Sequence, residues 1–435
     1  MLYEQHVFNL HNHGGDVLIP RTLEARLQEA AGPFPVLFLT GPRQSGKTTL
    51  ARMAFPEYLY VSLEDPQRRA EALEDPRGML QRVAAAPGVI FDEAQRAPEL
   101  FSYLQGVVDE RRGGPFVLTG SQNFLLSEKI TQTLAGRTAV FELLPFSVAE
   151  LARRPALRPE DFCRARPGAG GAEAPVRPSL SLEDLVFGGL YPAIHDRGAD
   201  AAQWLRSYIR TYVERDARAV GAIGDLDTFL RFLGLCAGRS GQLLNLSALG
   251  AEAGVSHSTA RRWLSVLRAS YIVTLLAPHH ENFSKRIVKT PKLYFLDTGL
   301  LCALLGVRGA YDLWNHPLRG ALVETFVVAE LTKLFAHCGE RPRLFFWRDS
   351  HGTEVDVLID LGRERAAVEI KSGVTVAADA FRGLEAYEQL AAGAAERAAA
   401  EGRPGYISGR SVLVYGGDEW YERLGHDVRP WWACT

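Results

Sequence analysis

The stretch Gly41-Pro42-Arg43-Gln44-Ser45-Gly46-Lys47-Thr48 follows the apolar run Val36-Leu37-Phe38-Leu39 and precedes Thr49-Leu50-Ala51-Arg52. Its spacing is that of a phosphate-binding loop, G-x-x-x-x-G-K-[ST], set between a buried strand and a helix start. A chain that forms it must bring a sheet strand up to a helix N-terminus, where glycines let the backbone wrap an anion and exposed N–H groups supply partial positive charge. Residues 41–49 are therefore the expected nucleotide contacts. Lys47 would reach the β and γ phosphates and the Thr48 hydroxyl would hold Mg²⁺, so ATP and Mg²⁺ are the expected ligands.

With 435 residues the chain is too long for one core, and 47% hydrophobic against 23% charged residues allows several. The sequence has no apolar run of eighteen residues and no basic-then-apolar N-terminus, so a soluble protein without signal peptide or membrane span is expected. The five cysteines are scattered without a C-x-x-C pair, which argues against a zinc site and a disulfide framework and suits a reducing cytoplasm. Net charge is −2, so any nucleic-acid contact must come from local basic patches.

Residues 1–152 read as one nucleotide-binding module. Residues 1–19 form an arm, and Leu23 and Leu27 sit one helical turn apart behind Arg21, read as a solvated helix-start arginine rather than a ligand contact. Tyr58 to Leu63 is a second strand. Val89-Ile90-Phe91-Asp92-Glu93 is an apolar strand ending in two acids, with Asp92 assigned to metal and Glu93 to the general base that polarises the attacking water. Phe116 to Gln122 is another strand, whose terminal Ser121 or Gln122 would contact the γ-phosphate or water. Arg137 precedes a last strand, Val140 to Leu143, and would stabilise transition-state charge in its own or a neighbouring subunit, or else form a structural ion pair. Strands alternating with helices imply a parallel sheet with the site at its carboxyl edge.

Residues 153–181 are rich in Pro, Ala, Gly and Arg and read as a flexible linker without a buried face. Residues 182–310 read as helical with a winged helix. Trp204, Tyr208, Tyr212 and Val213, then Phe229, Phe232 and Leu233, recur at helical spacing as core stripes. Leu246 to Leu264 reads as two helices about a turn at Gly254, a helix-turn-helix with Ser256 as cap and His257, Ser258, Arg261 and Arg262 as DNA contacts. Tyr271 to Leu276 and Leu293 to Leu296 would flank a basic wing, Lys285 to Lys292, able to grip phosphates or to serve protein docking.

In residues 311–435, Leu344 to Trp347, Glu354 to Ile359 and Ala367 to Lys371 read as three strands. Alternation puts Glu369 and Lys371 on one face, and pairing of the last two strands brings Asp356 opposite Glu369. Two acids that bind a divalent ion and a lysine that orients the nucleophile are what phosphodiester hydrolysis requires, with Glu324 from a helix as a further ligand. The alanine-rich helix over 377–402 and the closing strands carry no evident chemistry.

The order of these parts, with Lys292 to Leu301, Gly320 to Glu324 and Phe346-Trp347-Arg348-Asp349, resembles the prokaryotic family of AAA-type ATP-binding proteins that carry a C-terminal domain of unknown function. The resemblance runs from about Arg21 to about Gly373. It implies an α/β chain with a P-loop AAA-type parallel-sheet domain, a helical and winged-helix middle, and a restriction-endonuclease-like α/β core. In that core Glu324, Asp356, Glu369 and Lys371 match a PD-(D/E)xK arrangement. The stretch after Arg153 is longer than the family's usual one, and Gln122 stands where a small residue is expected. The joint presence of the three patterns in one chain points to an ATPase coupling Mg·ATP binding and hydrolysis to DNA engagement, with a metal-dependent nuclease core as an expectation. The alternatives are a regulatory switch whose C-terminal part docks protein or DNA without cutting, and a motor that moves nucleic acid. AAA-type sites are often completed between subunits, so a homo-oligomer is an expected partner arrangement.

Overall fold

The computed structural model describes residues 18–110, 113–121, 134–165, 176–213, 225–279, 290–362, 364–401 and 407–435. Five parallel strands form the first sheet: β1 (Val36–Thr40), β2 (Leu59–Ser62), β3 (Val89–Asp92), β4 (Phe116–Gly120) and β5 (Thr138–Glu142), in the order β2-β3-β4-β1-β5. Every residue of β1 is buried because helices cover both faces. Val36 and Phe38 pack with Met79, Leu80 and Leu104, from α4 (Pro76–Val83) and α5 (Leu100–Asp109), beyond α3 (Pro66–Glu74). Leu37 and Leu39 pack with Leu23, Leu27, Leu50 and Ala51 of α1 (Leu23–Ala30) and α2 (Lys47–Ala54). Each of these side chains contributes about 1.5–3 kcal/mol by leaving water, so the strand that delivers the phosphate loop is firmly held. Because β4 lies between β1 and β3, the carboxyl ends of three strands open onto one crevice.

The chain continues through α6 (Val148–Leu151) and α7 (Leu182–Gly188), both begun by reciprocal serine–acid caps, and then α8 (Pro192–His195) and α9 (Ala201–Tyr208). The helical stripe expected from Trp204 onward widens after Tyr208 into a π-helical turn, Ile209–Val213. The reading of 153–181 as lacking a buried face is corrected at Phe162. This ring is fully buried, 4.5 Å beneath the Arg429 guanidinium, which also donates to the Phe162 carbonyl. A single aromatic in a Pro/Arg-rich stretch makes no period, so its burial had no local signature.

Next come α10 (Leu226–Ala237), β6 (Gln242–Leu243), α11 (Leu246–Ala253), α12 (His257–Ala269), β7 (Val273–Pro278) and β8 (Lys292–Phe295). Gly254 turns between α11 and α12 with φ 78°, and Ser256 caps α12 by accepting from the Thr259 N–H. The strands pair antiparallel in the order β6-β8-β7. Residues 285–289 of the expected basic wing lie outside the described residues. β7 also pairs in parallel with β9 (Leu344–Arg348), so this small sheet runs on into the C-terminal one.

After α13 (Thr298–Leu305), the long helix α14 (Arg319–Ala336) leads to β9, β10 (Glu354–Asp360) and β11 (Glu364–Lys371), an antiparallel meander. Helix α15 (Arg382–Ala400) returns the chain to β13 (Val412–Tyr415), parallel to β11, with β12 (Ile407–Ser408), β14 (Tyr421–Arg423) and β15 (His426–Pro430) completing the sheet. Among the described residues, no helix is long and apolar enough to cross a membrane.

Candidate functional site

The phosphate loop joins β1 to α2 as its spacing requires. Gly41 has φ 146°, and a Cβ there would lie 2.1 Å from the Leu143 carbonyl oxygen, so only glycine fits. Gly46 caps α2 with φ 93°. Lys47 is buried and its Nζ donates to the Gly41 and Pro42 carbonyls at 3.2 and 2.6 Å. Thr48 Oγ1 donates to Asp92 Oδ1 at 2.8 Å. This hydroxyl and carboxylate are hard oxygen donors side by side, and they fit Mg²⁺.

Sequence reasoning missed what holds Asp92. Thr119 Oγ1 from β4 also donates to its Oδ1, and the Tyr60 hydroxyl from β2 donates to Oδ2 at 2.9 Å. Burial and the Asp92 charge raise the Tyr60 pKa, keeping it a donor. A threonine buried at the polar end of an apolar strand was the only signal available. Glu93 follows in a left-handed conformation, φ 56°, uncommon for a residue with a side chain and found preferentially where a site demands it. Gln95 Nε2 donates to Glu93 Oε2 and lies 3.4 Å from Ser121 Oγ. Gln122 lies outside the described residues.

Arg137 is corrected as a contact for its own nucleotide site. β5 runs parallel to β1 with Val36 opposite Thr138, so Arg137 sits at the amino edge, about 16 Å along the strand from the loop side. There it forms a forked surface pair with Asp109 at 2.5 and 3.0 Å.

Arg21 is the opposite case. It is 7% exposed rather than solvated, and its guanidinium donates to Ser45 O at 3.0 Å, Leu144 O at 2.6 Å and Glu150 Oε1 at 3.2 Å, 4.7 Å over the Phe146 ring. Glu150 also accepts from the N–H groups of Thr22 and Ser147, at 2.8 and 2.9 Å, and lies 3.4 Å from His337 Nδ1. Burial works against the Glu150 carboxylate, yet Arg21, His337 and these N–H groups bring its pKa below the usual range. Burial drives His337 down to about 4, so it stands neutral at pH 7. The resulting cleft, about 470 Å³, runs from Lys47, Thr48, Asp92 and Glu93 to an apolar wall including Ile19, Met53 and Pro192.

A second cluster lies on α14, β8, β10 and β11. Register puts Val357 opposite Val368, bringing Asp356 beside Glu369, and a bulge between Val355 and Leu358 re-aims this part of β10. Asp356 Oδ2 accepts from the Ile370 N–H at 2.8 Å, and Lys371 Nζ donates to Glu369 Oε1 at 2.6 Å, leaving the buried Glu369 Oε2 without a hydrogen bond. Glu324, Asp356 and Glu369, expected as metal ligands, have a lysine ammonium set among them. Lys292, 4% exposed, sends its ammonium to Glu324 Oε1 at 3.0 Å, to Glu354 Oε1, and to within 4.0 Å of Asp356 Oδ1. Tyr294 also donates to Glu324 Oε1, at 2.5 Å. Among the described residues, no three His, Cys, Asp or Glu side chains are disposed to share a metal ion. Burial raises the Asp356 and Glu369 pKa values; Glu324 and Glu369 add to it at Asp356, and Glu324 and Glu354 at Glu369, where Lys371 opposes it.

On α12, His257, Ser258, Arg261 and Arg262 are exposed on one side while Trp263, Leu264 and Leu267 are buried on the other.

Residues 33–152 match the family model described as AAA domain, and residues 179–311 and 319–433 match two models described as domains of unknown function, DUF8612 and DUF4143. Uncharacterized proteins of Mycobacterium tuberculosis and Mycobacterium bovis are each 34% identical over 356 residues, covering 81% of this chain and 73% of theirs. A Walker-type ATPase of Pyrococcus abyssi aligns at 14% identity with a TM-score of 0.42, covering 70% of this chain and 99% of that one.

Proposed function

From the premise that the chain belongs to the same family as these mycobacterial proteins and carries an AAA-type ATP-binding domain, we propose that it couples ATP hydrolysis to DNA engagement by its winged-helix and C-terminal parts. Lys47 and the loop N–H groups bind the phosphates, Glu93 orients the attacking water, and Ile19, Met53 and Pro192 offer an apolar wall to the base. Mg²⁺ held by Thr48 and Asp92 would neutralise charge on the phosphates.

Helix α14 carries the coupling. Near its start Glu324 belongs to the second cluster. About 9 Å further along, Glu330 Oε2 accepts from Val148 N–H at 2.8 Å; about 14 Å along, Lys333 donates to Phe146 O at 2.9 Å, and the helix ends at His337 beside Glu150. Phe146 and Glu150 both hold Arg21, and Arg21 holds the phosphate loop. A rearrangement at the loop is therefore passed to a helix whose first turns lie among the acids of the C-terminal core.

A second reading, nuclease turnover, is supported by the order helix, three antiparallel strands, helix and parallel strand, and by the partnerless buried oxygen of Glu369. The Lys292 ammonium argues for a core that grips without cutting. One experiment separates them: supercoiled plasmid with Mg²⁺ or Mn²⁺, with and without ATP, read by gel for both retention and nicking. Plasmid retention that depends on ATP and falls several-fold in the Arg261→Ala/Arg262→Ala variant is the expected result for DNA engagement; no retention under any condition refutes it. Nicking lost in Asp356→Ala/Lys371→Ala would establish the nuclease, and intact plasmid would leave a binding or docking module driven by ATP.

A further inference from the structure

We infer that Arg21 is a positioning residue that aims the Ser45–Gly46 peptide so that the Gly46 N–H faces the nucleotide phosphates. The inference rests on the reading of residues 41–49 as an ATP site. The Ser45–Gly46 bond is trans, so the Ser45 carbonyl and the Gly46 N–H lie in one plane and point in opposite directions. Arg21 draws that carbonyl toward itself at 3.0 Å, and the N–H is thereby turned away from Arg21.

Left to itself this peptide is free to flip. Gly46 has no Cβ and stands at φ 93°, where glycine moves between conformations at little cost. The guanidinium removes that freedom because it is itself fixed in plane: Nη2 is committed to Leu144 O at 2.6 Å, Nε to Glu150 Oε1 at 3.2 Å, and the face to Phe146 at 4.7 Å. A carbonyl that accepts from a cation also polarises its peptide, which makes the N–H a stronger donor to an anion. Glu150 offsets the arginine's charge, so Arg21 acts through the direction of a dipole and not through a net positive field at the phosphates. Its partners lie 24, 123 and 129 positions away, so Arg21 ties the start of the chain to both the loop and the segment after β5.

Direction and charge are separated by Arg21→Lys, which keeps the charge but has one nitrogen and no plane. The expected result is a dissociation constant for ADP and ATP raised at least about tenfold, or about 1.4 kcal/mol, in the folded variant. Equal nucleotide affinity in the wild type and the folded variant overturns the role of Arg21 and leaves the ATP site intact, whereas a wild type that binds no nucleotide overturns the site itself. Should the lysine variant fail to fold, hydrogen exchange of the wild type decides: ADP must slow exchange at the Gly46 amide, and an unchanged rate there refutes the inference.

Discussion

Lys47→Ala is expected to lower kcat/KM for ATP by about 10²–10³-fold, the cost of losing one preorganised donor to developing phosphate charge. Lys47 starts α2, is buried in the loop, and holds its ammonium among the same carbonyls that shape the phosphate cradle. An alanine continues the helix well, and of the two carbonyls it releases, that of Pro42 keeps the Ser45 hydroxyl as a donor. Stability should therefore change by only about 1 kcal/mol while turnover collapses. Phosphate release and thermal unfolding, measured on the same preparation, check the two halves. A variant that hydrolyses ATP near the wild-type rate would remove the loop from the chemistry.

The largest effect on stability is expected at Lys333. Lys333 and Glu330 are one turn apart on α14, each about 1% exposed, and bonded at 2.8 Å. Glu330 also accepts from Val148 N–H and the Thr435 hydroxyl, and Lys333 donates to Phe146 O. Lys333→Met leaves a carboxylate buried without its counter-charge and a carbonyl without its donor, which costs about 3–5 kcal/mol. Adding Glu330→Gln removes the stranded charge while keeping an acceptor, and should restore most of the loss. Urea unfolding of the single and double variants reads this directly. Equal destabilisation in both would mean that packing, and not the charge pair, fastens α14 to the nucleotide domain.

The parts legible in the sequence were those whose chemistry is local. The phosphate loop, the β3 acids and the Ser256 cap each rest on a handful of consecutive residues and their flanks. Arg137 was legible in principle: a strand parallel to β1 must begin at the edge away from the loop, so the residue before it cannot reach its own phosphate site. Arg21 and Lys292 were not legible, because what defines them is distant. Arg21 is bonded to elements more than a hundred positions on, and Lys292 to acids on α14 and β10. The alternation of Lys292 and Tyr294 within the apolar strand β8 does mark a polar face, but only the fold reveals that this face meets three carboxylates, Glu324, Glu354 and Asp356.

Coupling between the two ends of α14 is tested most directly by phosphate release from the wild type as duplex DNA is titrated in, with Lys47→Ala as the blank. A rate that rises severalfold with DNA and falls back as salt weakens phosphate contacts is the predicted result. A rate that is the same with and without DNA, in a protein that binds both ligands, would contradict it and make the nucleotide site and the C-terminal core independent.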